Sequence, residues 1–149
     1  MQPGDRVVVA QAVALAVTAW PGRARWRLRR PLAAAAALVA VGGAGLALAG
    51  LAAQGRQLTP RVTPPPQAVL LTTGVYRLSR HPVYAGLLVG AAGWALGRCR
   101  PEPLVGWLAL AAVLHVKSGM EERELQARFG DAYAQYAART PRLLGIPRR

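Results

Sequence analysis

Thiols and acids are scarce in this chain. Of its 149 residues, one is cysteine (Cys99), two are histidine (His81 and His115) and six are acidic. A single cysteine excludes a disulfide within the chain and a metal cage built on thiolates. So few histidines and acids leave no dedicated metal site to expect. Lysine is nearly missing: of 19 basic residues only Lys117 is lysine, the rest being arginine. Nothing reads as a cleavable signal either. Only Arg6 precedes the first apolar run, and the small residues Ala12, Ala14 and Ala16 lie inside it, so the segment is expected to be retained. A continuous basic face is also lacking. The charges sit in blocks between long uncharged stretches, so a net charge of +13 does not announce a nucleic-acid binder.

What is abundant is apolar surface, at 53% of residues. Four uncharged runs stand out: Val7–Gly22, Pro31–Gly55, Pro82–Gly97 and Pro103–Val116. A helix needs roughly 20 residues to cross a bilayer core. The second run reaches that length by itself. The other three would extend into their flanks, with arginine heads reaching for the headgroups. Four such runs leave almost no polar helical surface for a soluble domain. The expected fold is therefore all-α: a polytopic transmembrane helical bundle of about four spans, followed by a C-terminal amphipathic helix on the cytoplasmic side. One domain covers residues 1–149, with N-terminal helices over 1–53 and a functional core over 54–141.

Local patterns refine this picture. Gly86, Gly90, Gly93 and Gly97 fall on one face of the third helix. In lipid, helices associate by close packing, and small faces permit it. The short linker Arg98–Glu102 then predicts a tight hairpin between runs three and four. The connection from Gln54 to Arg80 holds Pro60, Pro64, Pro65 and Pro66, so it starts extended, and Thr72, Thr73 and Gly74 predict a turn. After the fourth run, Glu121, Glu122 and Glu124 arrive together. Leu125, Phe129, Ala132, Tyr133 and Tyr136 then recur at helical spacing, interrupted at Gly130 and ended by Thr140-Pro141. One face of this segment is free to fold back over a site or to lie at the interface. If all four runs cross, 12 basic residues share the side of the N-terminus and 7 lie opposite, which predicts both termini inside.

Two places can carry chemistry. Pro82 suits the first position of the third helix, so the amides of Val83 and Tyr84 would point at whatever precedes it. A helix start of this kind holds anions. Arg80 and His81 add donors, and Tyr76 and Tyr84 add flat walls. The same residues also suit plain anchoring at a membrane interface. At the exit of the fourth run, Lys117 and Glu121 are one helical turn apart. A hairpin brings Glu121 to the side of His81, so a positive corner faces a carboxylate, a pairing that suits a zwitterionic ligand. A merely solvated helix surface reads the same way.

Longer strings carry a resemblance. Leu58-Thr59-Pro60, then Leu71-Thr72-Thr73-Gly74-Val75-Tyr76-Arg77, then Arg80-His81-Pro82-Val83-Tyr84-Ala85-Gly86, and finally Lys117 with Glu121-Glu122 and the run from Leu125 to Tyr136, resemble the isoprenylcysteine carboxyl methyltransferase family and the wider phospholipid N-methyltransferase-like group. The similarity covers about residues 54–141; the N-terminal part matches only in being apolar. The resemblance implies a multi-span membrane methyltransferase using S-adenosylmethionine at the cytoplasmic face. It implies that Ala68, Val69, Leu70 and Leu71 line the cofactor, that Tyr76 contacts it, that His81, Pro82, Val83 and Tyr84 close around it, and that Glu121 binds it. Lys117 falls where relatives carry an arginine facing the substrate. A lysine lacks the planar fork that grips a carboxylate with two bonds, so the family's prenylated cysteine is not assumed as substrate.

The expected function is methyl transfer from S-adenosylmethionine to a lipophilic or small acceptor, through a carboxylate, thiol or amine, at the bilayer. The expected location is an integral membrane position, in a bacterial inner membrane, with the cofactor site facing the cytoplasm. The partners are the lipid bilayer and the acceptor. A non-catalytic membrane scaffold that keeps the fold is the alternative. A membrane reductase with a nicotinamide cofactor would need a longer chain.

Overall fold

A computed structural model describes residues 3–55 and 69–145. Ala68 and the string Leu58, Thr59 and Pro60 lie outside the described residues. Every regular element among the described residues is helical: α1 (Pro3–Thr18), α2 (Arg30–Gln54), a short 3-10 turn (Gly74–Arg77), α3 (Pro82–Gly97) and α4 (Pro101–Arg139). The all-α expectation therefore holds. Two helices, α2 and α4, are long and apolar enough to cross a membrane, and α3 is a shorter apolar helix. At 16 residues each, α1 and α3 fall short of a bilayer core by themselves.

Prolines set the helix starts. Arg29, His81 and Arg100 are the capping residues of α2, α3 and α4, with proline in the first turn of each helix. Its fixed φ suits that position and its missing N–H costs nothing there. For this reason α4 begins at Pro101, two residues ahead of the apolar run. The turn between α3 and α4 is tight, with Arg98 and Cys99 bonding back to Trp94 and Leu96 of α3. The helical stretch that follows consists of two helices that meet at Gly130, the first carrying the fourth apolar run and the second the C-terminal segment. It bends at Gly130, whose φ of 51° is open to glycine and strained for other residues.

The helices run up and down. Gly43 sits against Gly90 and Gly86, and Gly50 against Val83, so α2 and α3 are antiparallel. This contact is backbone on backbone. A Cβ on Gly86 would strike the Ala47 amide, and one on Gly93 the Ala40 amide. The predicted glycine face is thus the α2 contact over Gly86, Gly90 and Gly93, whereas Gly97 meets nothing among the described residues. On the other side of α3, Ala14, Leu110 and Leu114 form a small core with Leu15, Tyr84, Leu87, Leu88 and Ala91. Gly106 of α4 meets Thr18 of α1, so α1 lies antiparallel along α4. At the end away from the 3-10 turn, Arg98 and Arg100 donate to the carbonyls of Gly22 and Trp20, and Glu102 pairs with Arg25 and Arg100.

The α2–α3 contact predicts a contrast. Gly86→Ala and Gly93→Ala should each cost about 1–3 kcal/mol, because a backbone cannot yield as a side chain can. Gly42→Ala, where nothing among the described residues lies within 4 Å, should be neutral or gain about 0.5–1 kcal/mol. Thermal unfolding of the three variants in detergent measures the difference.

Candidate functional site

The 3-10 turn, the start of α3, the middle of α4 and the chain after Thr140 converge on one corner. Gly74 opens the turn with φ of 59°, and Tyr76 N–H bonds to Thr73 C=O, so the predicted turn is present. Tyr76 is buried there. Beyond the bend at Gly130, the last part of α4 brings Tyr136 back, and its hydroxyl donates to Tyr76 C=O at 2.6 Å. The chain then lies along the entrance to α3. Arg80 N–H donates to Pro141 C=O (2.9 Å), and His81 N–H donates to Arg142 C=O (3.2 Å) and to Ser79 Oγ (3.1 Å). The fold-back anticipated for the C-terminal segment is therefore a strap over residues 79–81.

Two neighbouring glutamates on α4 take different roles. Glu122 is buried beneath the strap. Arg142 Nε and Nη2 reach its Oε2 at 2.8 and 2.6 Å, and Arg80 Nη1 lies 3.2 Å from its Oε1. Glu121 faces the start of α3. Tyr84 Oη donates to its Oε1 at 2.5 Å, and His81 Nδ1 is 3.4 Å from its Oε2. His81 bridges the two carboxylates, since its Nε2 lies 3.5 Å from Glu122 Oε1. The His81 ring also stacks parallel to Tyr84, with centroids 5.5 Å apart.

A neutral imidazole has one N–H, so carboxylates at both ring nitrogens are satisfied together only by the imidazolium. Burial, the largest single influence, disfavours that charge. The hydrogen bonds and charges of Glu121 and Glu122 jointly outweigh it, and the His81 pKa is raised above its usual 6.5. Burial, and then the Glu121 charge, push the Tyr76 phenol up to about 12, so it stays neutral.

Lys117 is buried, one turn before Glu121. Its ammonium donates to Gln11 Oε1 of α1 at 3.0 Å and lies 5.2 Å from the centre of the Tyr84 ring. The anticipated pair on one helix is thus replaced by a contact between helices, while Glu121 is held by Tyr84 and His81. Pro82 is buried, Val83 half-buried against Gly50, Val69 exposed, and Leu70 and Leu71 half-buried. The structure so brings together Tyr76, His81, Pro82, Tyr84, Lys117 and Glu121. Sequence reasoning missed Gln11, Ser79, Glu122 as a buried anchor, and Arg142. The doubled glutamate was the signal for the third; Gln11, the one amide inside the first apolar run, was the signal for the first.

The corner fits S-adenosylmethionine in the chemistry of its donor set. A carboxylate has about four lone-pair positions. Tyr84 and His81 occupy two on Glu121, and the rest can accept from an amine or ribose hydroxyl. His81, Arg80 and Lys117 give the surroundings a positive balance that suits a carboxylate.

Two outcomes follow for stability. Glu122→Gln strands the buried cations and should cost about 3–5 kcal/mol, read as a large fall in Tm. A raised folded pKa means the His81 pairing is complete below its unfolded value and is lost as pH climbs through the folded one. Wild-type Tm should therefore decline as pH rises above the unfolded value of 6.5, and His81→Gln should flatten that decline.

Among curated proteins, the chain is 35% identical over 82 residues to protein-S-isoprenylcysteine O-methyltransferase B of Arabidopsis thaliana, covering 52% of this chain and 39% of that one. It is 40% identical over 72 residues to a probable protein-S-isoprenylcysteine O-methyltransferase of Oryza sativa subsp. indica, covering 48% and 38%. It is also 39% identical over 74 residues to methanethiol S-methyltransferase 1 of Bradyrhizobium diazoefficiens, covering 47% and 24%. The chain thus spans under half the length of these relatives. Residues 32–132, well over half of the chain, match the phospholipid methyltransferase family. On that match and these relatives, the chain belongs to the phospholipid methyltransferase family, of which the isoprenylcysteine carboxyl methyltransferases it resembles are members.

Proposed function

We infer that this chain transfers the methyl group of S-adenosylmethionine to a lipophilic or small acceptor at the membrane. The observation that carries the reading is the convergence of His81 and Tyr84, from the first turn of α3, on Glu121 of α4. Charge of both signs and flat aromatic rings meet there, next to an apolar bundle. The match to the family supports the reaction type.

When bound, the cofactor supplies an already activated sulfonium methyl. The protein's own residues then have to bind, orient and exclude water. Glu121 accepts from the ligand's amine or hydroxyls, held in direction by Tyr84 Oη and His81 Nδ1. It positions rather than takes a proton, because two donors already bind it. Tyr76, neutral over the working range, offers a wall and a donor. Val69, Leu70 and Leu71 precede the turn and supply the apolar side. Lys117, fixed by Gln11, presents its remaining N–H groups to an anionic acceptor group, a carboxylate or thiolate. Leu87, Leu88 and Leu114 keep the inner side of the corner dry. A dry site favours a step in which opposite charges disappear together. The acceptor arrives laterally from the lipid and the cofactor from the cytoplasmic side of an inner membrane.

Titration calorimetry on detergent-purified protein tests this. Wild type should bind S-adenosylmethionine with a dissociation constant on the order of micromolar. Tyr84→Phe keeps the ring and removes one bond to a charged group, so binding should weaken about tenfold. His81→Ala and Glu121→Ala should abolish binding while circular dichroism shows the helices intact. A well-folded wild type that binds none would overturn the methyltransferase reading in favour of a non-catalytic scaffold.

A further inference from the structure

His115 is a polar exception on an apolar surface. Val105, Leu108, Ala112 and His115 are all exposed. Their spacing of three, four and three residues sets them in one stripe along the outer face of α4, in the register with which helices pack side by side. The His115 carbonyl accepts from Ser118 Oγ, but its ring has no hydrogen-bond or ion-pair partner among the described residues.

The ring also sits deep. Lys117 lies over the Tyr84 ring, and α3 and α4 run antiparallel. His115, two residues before Lys117, is therefore level with Gly86, two residues after Tyr84. Gly86 abuts Ala47 of α2. From there α2 runs on without a charge to Gln54, about 10 Å further, and Leu48 beside Ala47 is exposed. On α4 the next exposed charge is Arg123, about 12 Å beyond His115. The headgroups thus lie beyond the reach of a histidine side chain. A polar side chain at hydrocarbon depth faces protein and pairs there, rather than facing lipid.

We propose that this stripe joins two copies of the chain, α4 against α4 about a two-fold axis along the membrane normal, with the two His115 rings hydrogen-bonded to each other at the seam. Two observations select a second copy as the occupant. A neutral imidazole carries one N–H donor and one acceptor nitrogen, so it is its own complement. A second copy inserted in the same sense also brings that ring to the same depth, and about a two-fold axis each residue of the stripe meets its own counterpart. Ala112, one turn before His115, is small enough to let the backbones approach. The stripe carries no charge that such pairing would set against itself. The interface uses none of Tyr76, His81, Tyr84, Lys117 or Glu121 and does not depend on the methyltransferase reading.

The test is sedimentation equilibrium of the full chain in density-matched, uncharged detergent over a range of protein-to-detergent ratios. Wild type should pass from monomer to dimer as that ratio rises. His115→Leu should raise the dissociation constant about three- to thirtyfold, the worth of one polar contact between membrane helices. It should leave monomer Tm and S-adenosylmethionine binding unchanged. His115→Gln keeps a donor and an acceptor and should dimerise within about threefold of wild type. Ala112→Ile should raise the constant at least about tenfold by holding the helices apart. Ala34→Ile, on the exposed face of α2, should change nothing. In native membranes treated with a mild oxidant, Ala112→Cys should cross-link two chains and Ala34→Cys should not. A wild type that stays monomeric at every ratio, full dimerisation by His115→Leu, an equal loss with Ala34→Ile, or a dimer that Ala112→Cys does not cross-link would each overturn the proposal.

Discussion

The corner rests on one buried carboxylate. Glu122 draws Arg80 from the entrance of α3, His81 from its cap and Arg142 from beyond the end of α4 into a single ion cluster. Without it, three cationic groups would share a dry space, each at a desolvation cost of several kcal/mol. Its partners also fix backbone. Pro141 and Arg142 accept from the N–H groups of Arg80 and His81, so the strap is tied by main chain and side chain together. Glu121, one residue earlier, is left facing Tyr84 and the open side. One glutamate assembles the frame and its neighbour is presented by it.

The glycine contact between α2 and α3 performs a different task. By letting two backbones touch, it uses one face of α3 completely and leaves the other to carry Tyr84, Leu87 and Leu88 toward α4 and α1. Tyr84 sits where these contacts meet. Its hydroxyl reaches Glu121, its ring stacks on His81, and the ammonium of Lys117 lies over it. The position of the first helix thereby reaches the corner through Gln11 and Lys117, although α1 supplies no residue of the resemblance.

Much of this was legible in the sequence, for identifiable reasons. Apolar run length and proline gave the helices, glycine spacing gave the α3 face, and the string from Tyr76 to Gly86 gave the corner. What escaped depended on distance along the chain. Adjacent glutamates point about 100° apart on a helix, and spacing alone does not say which faces inward. Arg142 is a site neighbour only because Gly130 turns the chain back, and a glycine in a helical run does not declare the direction of its bend. Lys117 and Glu121 have the spacing of an ion pair, yet an amide on α1, invisible to any pattern within α4, takes the lysine. Spacing places Gly97 on the glycine face, but does not say where along that face the neighbouring backbone makes contact.

The continuity of α4 makes it a ruler. Glu102, in the arginine cluster at one end, and Glu122, in the ion cluster at the other, are twenty residues apart, or about 30 Å of helix. That is the thickness of a bilayer's hydrocarbon core. Two clusters of opposite ends are thus kept at a fixed separation and a fixed rotational phase by one rod. A residue gained or lost between them would turn Glu121 by about 100° and aim it away from His81, even if every contact residue were preserved. Side chains on the outward face of this stretch can change without moving either cluster, whereas its length cannot.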